Sequence, residues 1–232
     1  MSAGDPRGRS RGRRVKVRTA RGRKPSSTRW LERQLNDPFV AEAKRRGYLS
    51  RAAFKLSWLD DKYKILRPGK RVLDLGAAPG GWTQIVIERL RGKGEVLAID
   101  KLEMENLSGA RIVQMDFMAA DAEDRLLAEL GGPVDVVLSD MASPSTGHRQ
   151  TDHLRTMVLC EAAYDFATRI LRPGGCFIAK VLQGGTEAGL LTRARQDFKR
   201  VHHAKPPASR PESTELYLVA LGFEPRSPTD AR

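Results

Sequence analysis

From Arg67 onward, short apolar runs alternate with longer amphipathic stretches, and glycine or proline separates them. Val72–Leu75, Val96–Ile99, Arg111–Gln114, Val134–Leu138 and Cys176–Val181 have the length and branched content of strands. The stretches from Gly81 to about Leu90, Ala122–Leu130, Asp152–Leu171 and Glu187–Phe198 read as helices. In the third of these, Leu154, Met157, Val158 and Ala162 fall on one face. Repeated strand–helix units predict a parallel sheet covered by helices on both faces. A short strand near Arg200–Ala204 and a last one at Leu216–Leu221 are joined by a Pro-rich loop without a helix, which predicts an antiparallel ending. Upstream, Thr28–Arg45 has helical character broken near Asp37-Pro38, and Ser50 is placed to cap a helix from Arg51 to about Tyr63.

The loop after the first strand carries the most specific chemistry. Asp74-Leu75-Gly76-Ala77-Ala78-Pro79-Gly80-Gly81-Trp82 joins a strand to a helix through small residues. Such a loop lets a ligand lie against the backbone, and the helix start offers free N–H groups. The dinucleotide pattern G-x-G-x-x-G is absent, which argues against a nicotinamide enzyme. The looser spacing suits S-adenosylmethionine.

Ionisable residues recur at the strand ends. Asp74, Asp100, Asp116, Asp140 and Lys180 lie at or just after the five parallel strands, and Glu215 precedes the antiparallel one. Because an antiparallel strand starts where its parallel neighbours finish, all six are expected on one rim, where ligands bind in such sheets. Asp100 is suited to accept from ribose hydroxyls and Asp116 from the adenine amine. Trp82 reads equally as a core aromatic or as a wall of the cofactor site. Lys180 ends the apolar run Cys176–Ala179, where desolvation would lower its pKa and make it a base. Lys55, within an apolar helical stretch, invites the same comment.

Charge adds one further element. Ten of the 41 Lys and Arg, but only one of the 28 Asp and Glu, lie in residues 1–24, so most of the net +13 belongs to an Arg/Gly/Ser-rich tail. That composition cannot bury a core and suits an arm that binds nucleic-acid phosphates. The expected organisation is a disordered tail over residues 1–25, a folded unit over 26–223 and a disordered end over 224–232. Lys44, Arg45, Arg46, Arg51, Lys205 and Arg210 are further candidates for phosphate contact. Cys160 and Cys176 read as buried thiols in a reducing compartment, and the four histidines have no zinc spacing. No apolar run approaches the length of a membrane span, so a soluble, cytoplasmic protein is expected, with a monomer as the default.

Six blocks together resemble the FtsJ/RrmJ family of RNA 2′-O-ribose methyltransferases. They are Ser26–Leu31, Ser50–Leu56, Asp74–Trp82, Ser139–Ala142, Lys180–Gly184 and Glu215–Ala220. The resemblance implies a Rossmann-like methyltransferase fold with a mostly parallel seven-stranded sheet and S-adenosylmethionine as cofactor, without metal. It implies a catalytic set of Lys55, Asp140, Lys180 and Glu215, with Lys180 as the base. It implies cofactor contacts from Gly76, Gly80, Trp82, Asp100, Asp116 and Asp140. The bacterial branch it resembles implies a uridine of 23S rRNA in the large ribosomal subunit as acceptor. Transfer RNA, a messenger RNA cap, and a non-catalytic role in ribosome assembly are the alternatives. One departure stands beside Asp140, where Ser143-Pro144 replaces the Pro-Asn of many relatives.

Overall fold

A computed structural model describes residues 15–17, 22, 25–143, 146–184 and 187–225. The tail expected to be disordered and the end of the chain fall largely outside these residues, as does Pro144. The described elements run α1 (Pro25–Leu35), α2 (Pro38–Arg46), α3 (Ala53–Tyr63), β1 (Arg71–Leu75), α4 (Gly81–Leu90), β2 (Glu95–Asp100), β3 (Arg111–Gln114), α5 (Ala122–Leu130), β4 (Val134–Ser139), α6 (Arg149–Ile170), β5 (Leu171–Leu182), α7 (Glu187–Asp197), β6 (Phe198–Ala204) and β7 (Glu215–Phe223).

The seven strands form one sheet in the order β3-β2-β1-β4-β5-β7-β6. The pairs among β1 to β5 are parallel, whereas β7 is antiparallel to both β5 and β6. Chain order and sheet order differ at the end because β6 does not pair with β5. The β6–β7 hairpin folds back so that β7 lies between them. This is the Rossmann-like α/β arrangement that the apolar runs predict.

Alternation along each strand divides the core. Leu73, Leu97, Val137, Phe177 and Leu218 pack with α5, α6 and α7 on one face. Val72, Val96, Leu138, Ile178 and Val219 pack with α3 and α4 on the other. Leu56 and Leu59 of α3 are fully buried on this second face, each contributing roughly 1.5–3 kcal/mol of burial energy. Their spacing with Lys55 fixes which way that lysine points.

Helix starts depart from expectation at one place. Ser50 does not cap α3, whose N-cap is Ala52 with no side-chain bond. The Ser50 Oγ is buried without a partner, against the Cα side of Gly81 at the start of α4. Asp37 does cap α2, accepting from the Phe39 N–H at 3.0 Å, with Pro38 in the first turn.

Two buried carboxylates hold α3 and α4 against the sheet. Asp60 is 4% exposed, accepts from the Leu66 N–H at 2.8 Å and pairs with Arg89 of α4 at 3.1 Å. Asp74 is fully buried and accepts from the Thr83 hydroxyl at 2.7 Å, while its Oδ1 has no partner. Burial pushes the Asp74 carboxyl up to about 7, against the Thr83 hydrogen bond and with help from the charges of Asp140 and Asp100.

Asp60→Ala leaves the buried Leu66 N–H without its acceptor and removes one partner of Arg89, and we expect a loss of about 1–3 kcal/mol in urea unfolding. For Asp74, an acid raised in the folded state keeps a proton that the unfolded chain has released. Its contribution to stability is therefore greatest below about pH 4, declines as pH rises to about 7, and is level above. Asp74→Asn removes that decline. The stability difference should move in the variant's favour by up to about 4 kcal/mol across that window. A difference constant from acid to neutral pH would mean that Asp74 titrates in the fold as it does in the unfolded chain.

Candidate active site

At the carboxyl edge of the parallel strands, β5 and β7 bring two functional residues side by side. Their antiparallel register sets Lys180 opposite Tyr217, and Leu182 opposite Glu215. Asp140 follows β4, and Lys55 comes down from the first turns of α3. The result is a continuous polar chain. Lys180 Nζ contacts Asp140 Oδ1 at 2.8 Å and donates to the Asp140 carbonyl at 2.9 Å. Tyr217 donates to Asp140 Oδ1 at 2.8 Å and accepts from Lys55 Nζ at 3.1 Å. Lys55 pairs with Glu215 at 2.8 Å, and the Ser209 hydroxyl donates to the same carboxylate at 2.7 Å.

Cations and carboxylates thus alternate, with a tyrosine hydroxyl bridging the middle. Burial opposes the charge on Lys180, but Asp140 and then Glu215 outweigh it, and the lysine pKa is raised above its ordinary value. This reverses the expectation of a lowered pKa. The neighbours that sequence order could not reveal are anions, and they favour the ammonium. Burial likewise opposes ionisation of Asp140, yet Lys180 and then Lys55 hold it below the usual carboxylate range. Glu215 is held low against burial by Lys55 and then Lys180. Burial raises the Tyr217 phenol well above normal, and the charges of Asp140 and Glu215 add to this, so it remains a neutral donor.

The polar chain separates two clefts. The first, of about 390 Å³, is lined by Gly76, Ala78, Asp100, Asp116, Phe117 and Met141, and reaches Asp140 and Lys180. The second, of about 610 Å³, is lined by Lys55 and Glu215 together with Arg33, Arg51, Arg210 and Thr214. Lys180 and Asp140 face one side, and Lys55 and Glu215 face the other.

The first cleft has features that fit an adenosyl cofactor. Gly76 has φ +74°, and a Cβ there would lie 2.6 Å from Met141 Cγ, so the loop requires a bare backbone. Asp100 accepts from the Ala78 N–H at 3.0 Å and the Leu102 N–H at 2.8 Å, which fixes its carboxylate while leaving lone pairs for hydroxyl donors. Asp116 accepts from the Met118 N–H at 2.9 Å and is exposed at the cleft. Phe117, beside it, is anchored edge-on against Phe166 and offers an apolar wall.

Not every expected residue joins this rim. Asp74 is turned inward to Thr83 and lines neither cleft. Gly80 and Trp82 also lie outside the described lining of the first cleft. The Trp82 ring is 2% exposed, donates to the Ala52 carbonyl at 3.0 Å and packs on Tyr217. Of the two readings of Trp82, the ring is the core aromatic, and what it can offer a ligand is its N–H in the first turn of α4. Gly80 has φ +112°, and a Cβ there would meet Leu49 Cδ1 at 2.8 Å.

Tyr217 is the residue that sequence reading missed. In the alternating run Leu216-Tyr217-Leu218-Val219 it reads as core, and only its position two residues after Glu215 hints otherwise. Several basic candidates are also committed internally. Arg51 pairs with Asp37 at 2.6 Å and donates to the Ala208 carbonyl, and Arg210 lies 3.6 Å from the same Asp37 oxygen. Lys205 donates to the Pro211 and Ser213 carbonyls at 3.1 and 2.8 Å. Arg45 and Arg46 both pair with Glu42. Among the described residues, no group of His, Cys, Asp and Glu is arranged to hold a metal ion, and no helix is long and apolar enough to cross a membrane.

The chain has relatives of known family and fold. The profile of the FtsJ-like methyltransferases matches residues 48–223. The ribosomal RNA large subunit methyltransferase E of Parvibaculum lavamentivorans is 55% identical over 95% of this chain and 91% of its own length. Its namesake from Paramagnetospirillum magneticum is 59% identical over 94% of this chain and 91% of its own. A crystal structure of a ribosomal RNA methyltransferase from Plasmodium falciparum superposes with a TM-score of 0.69 at 31% identity, covering 77% of this chain and all of that one. With a family profile that spans the whole sheet, residues 48–223, the protein belongs to the FtsJ-like methyltransferase family.

Proposed function

We propose that the protein methylates a ribose 2′-hydroxyl of large-subunit ribosomal RNA, a uridine of 23S rRNA, using S-adenosylmethionine. The observation that carries this reading is the Lys180–Asp140–Tyr217–Lys55–Glu215 chain standing between two clefts. The relatives' names supply the class of RNA.

In this reading Asp100, Asp116 and the Gly76–Trp82 loop hold the cofactor in the first cleft. When bound, it supplies an electron-poor methyl carbon that a ribose oxygen can displace from sulfur in line. The remaining work falls to the chain's own side chains. Lys180 Nζ accepts the hydroxyl proton. Asp140 keeps Lys180 at the boundary between the clefts, and Lys55 and Tyr217 fix Asp140. Glu215 balances Lys55 and faces the acceptor cleft. Orientation accounts for the larger share of rate, up to roughly 7–11 kcal/mol, against the about 10²–10⁴-fold that a positioned base contributes. Residues 26–223 form the catalytic unit, working in the cytoplasm as a monomer.

Lys180→Ala should abolish turnover while cofactor binding, followed by calorimetry, persists. The assay is transfer of labelled methyl to undermethylated large ribosomal subunits, with mass-spectrometric mapping of the nucleoside. A single 2′-O-methyluridine in 23S rRNA, lost in the variant, is the expected result. Label on transfer RNA or capped RNA instead would redirect the substrate, and near-normal turnover in the variant would remove Lys180 from its role.

The raised pKa of Lys180 gives a pH profile with a definite sign. Only the neutral amine accepts a proton, so kcat/KM should climb with pH through the neutral and mildly alkaline range, approaching tenfold per unit. Asp140→Asn removes the strongest interaction that raises Lys180, and the residual activity should rise at lower pH than in the wild type. A flat profile in the wild type would exclude neutral Lys180 as the proton acceptor.

A further inference from the structure

The amide of Asn36 makes three hydrogen bonds, and two of them go to a single residue far away in the chain. Asn36 Oδ1 accepts from the Val15 N–H at 2.8 Å, and Nδ2 donates to the Val15 carbonyl at 2.8 Å. The second Nδ2 hydrogen goes to the Glu32 carbonyl at 2.7 Å, at the end of α1. One oxygen and two N–H groups are thereby used at once. The bond to α1 sets the plane of the amide, and its outer edge reads the backbone of Val15 as a neighbouring strand would. Recognition is of main chain, so it fixes the path of the chain whatever the side chain at residue 15.

The place where this happens is a groove. Asn36 lines a cleft of about 650 Å³ with Asp37, Arg33, Arg51, Arg210 and Glu212. Arg33, Arg51, Arg210 and Glu212 also line the cleft that reaches Lys55 and Glu215. A continuous groove therefore leads from the Val15 clamp to the polar chain of the active site.

That groove is poor in free positive charge. Its Lys and Arg are matched in number by Glu32, Asp37, Glu212 and Glu215. Arg51 and Arg210 share Asp37, and Lys55 is held by Glu215. An RNA strand brings one negative charge per nucleotide, and cations that are already paired neutralise it weakly. A further supply of positive charge lies in the sequence beside the clamp. Lys16 is exposed next to Val15, and Arg7, Arg9, Arg11, Arg13 and Arg14 precede it with only Asp5 opposing them.

We propose that Asn36 is a positioning residue that anchors the basic N-terminal arm at the outer end of the acceptor groove, so that the arm supplies the phosphate contacts the groove lacks. The inference rests on the RNA-acceptor reading above. It gives the arm a fixed point of departure at Val15.

The test is a two-by-two comparison on the full chain. One axis is Asn36→Ala. The other is Arg7→Gln, Arg9→Gln, Arg11→Gln, Arg13→Gln and Arg14→Gln together. Binding of a fluorescently labelled RNA hairpin is measured across a KCl series. With the native arm, Asn36→Ala should weaken binding about three- to tenfold, the worth of a pair of exposed hydrogen bonds. The slope of log K against log salt should shrink by roughly 0.7–0.9 for each phosphate that the arm no longer neutralises. With the arm arginines neutralised, Asn36→Ala should change neither quantity. An equal loss in both backgrounds would mean that Asn36 serves only the end of α1, and no loss with the native arm would mean that the clamp does not direct it. Either result overturns the inference and leaves the RNA reading standing. Failure of the unaltered chain to bind the hairpin at low salt would remove both.

Discussion

The structure turns on one carboxylate that two cations share. Asp140 is only partly exposed, and such a charge is sustained by partners that compensate its lost hydration. Lys180 provides direct compensation, Tyr217 a neutral hydrogen bond, and Lys55 a second positive charge at the far side of the phenol. Glu215 then balances Lys55. Each member compensates its neighbour, so a change at one is felt along the group. That explains why α3, β4, β5 and β7, four elements from distant parts of the chain, must meet at one point. Beneath it, Ile178, Val219, Leu56 and Trp82 belong to one buried cluster that holds the backbone from which these side chains project.

Much of this was legible in the sequence, because much of it is local. Strand runs, helix periods and the Gly-rich loop depend on neighbours within a few residues, and the strands at β1 to β5 lie where their apolar runs place them. The gathering of Asp100, Asp116, Asp140, Lys180 and Glu215 followed from topology alone. What the sequence could not carry is interaction between residues far apart. Tyr217 looked apolar because its hydroxyl partners, Asp140 and Lys55, lie on other elements. The sign of the Lys180 shift was misread for the same reason. Desolvation is suggested by the flanking residues, whereas the opposing anions come from the end of β4 and the start of β7. Asp74 and Ser50 failed differently. Each has the residue type of a rim or a cap, and each is turned inward by the way α4 seats against the sheet.

The Asp37 carboxylate shows how the surface over the second cleft is kept in register with the core. It caps α2, pairs with Arg51 ahead of α3 and approaches Arg210 in the β6–β7 loop. Three segments without regular structure in common are thus referred to a single charge. Residues that looked like free cations in the sequence are, in the fold, the fastenings of a wall. Counting basic residues near a site therefore overstates the charge available to a polyanion.

The sheet order has a consequence in time. Of the seven strands, β7 is the last to be synthesised, yet it sits inside the sheet and carries Tyr217 and Glu215. Strands β1 to β5 can pair as they emerge, whereas β6 has no hydrogen-bonding neighbour until β7 arrives between it and β5. A nascent chain would hold Lys180 and Asp140 together with Lys55 not yet matched by Glu215. The polar chain from Lys180 to Glu215 is thus complete only once the last strand takes its place between two others, and a chain cut short before residue 215 lacks both Glu215 and Tyr217.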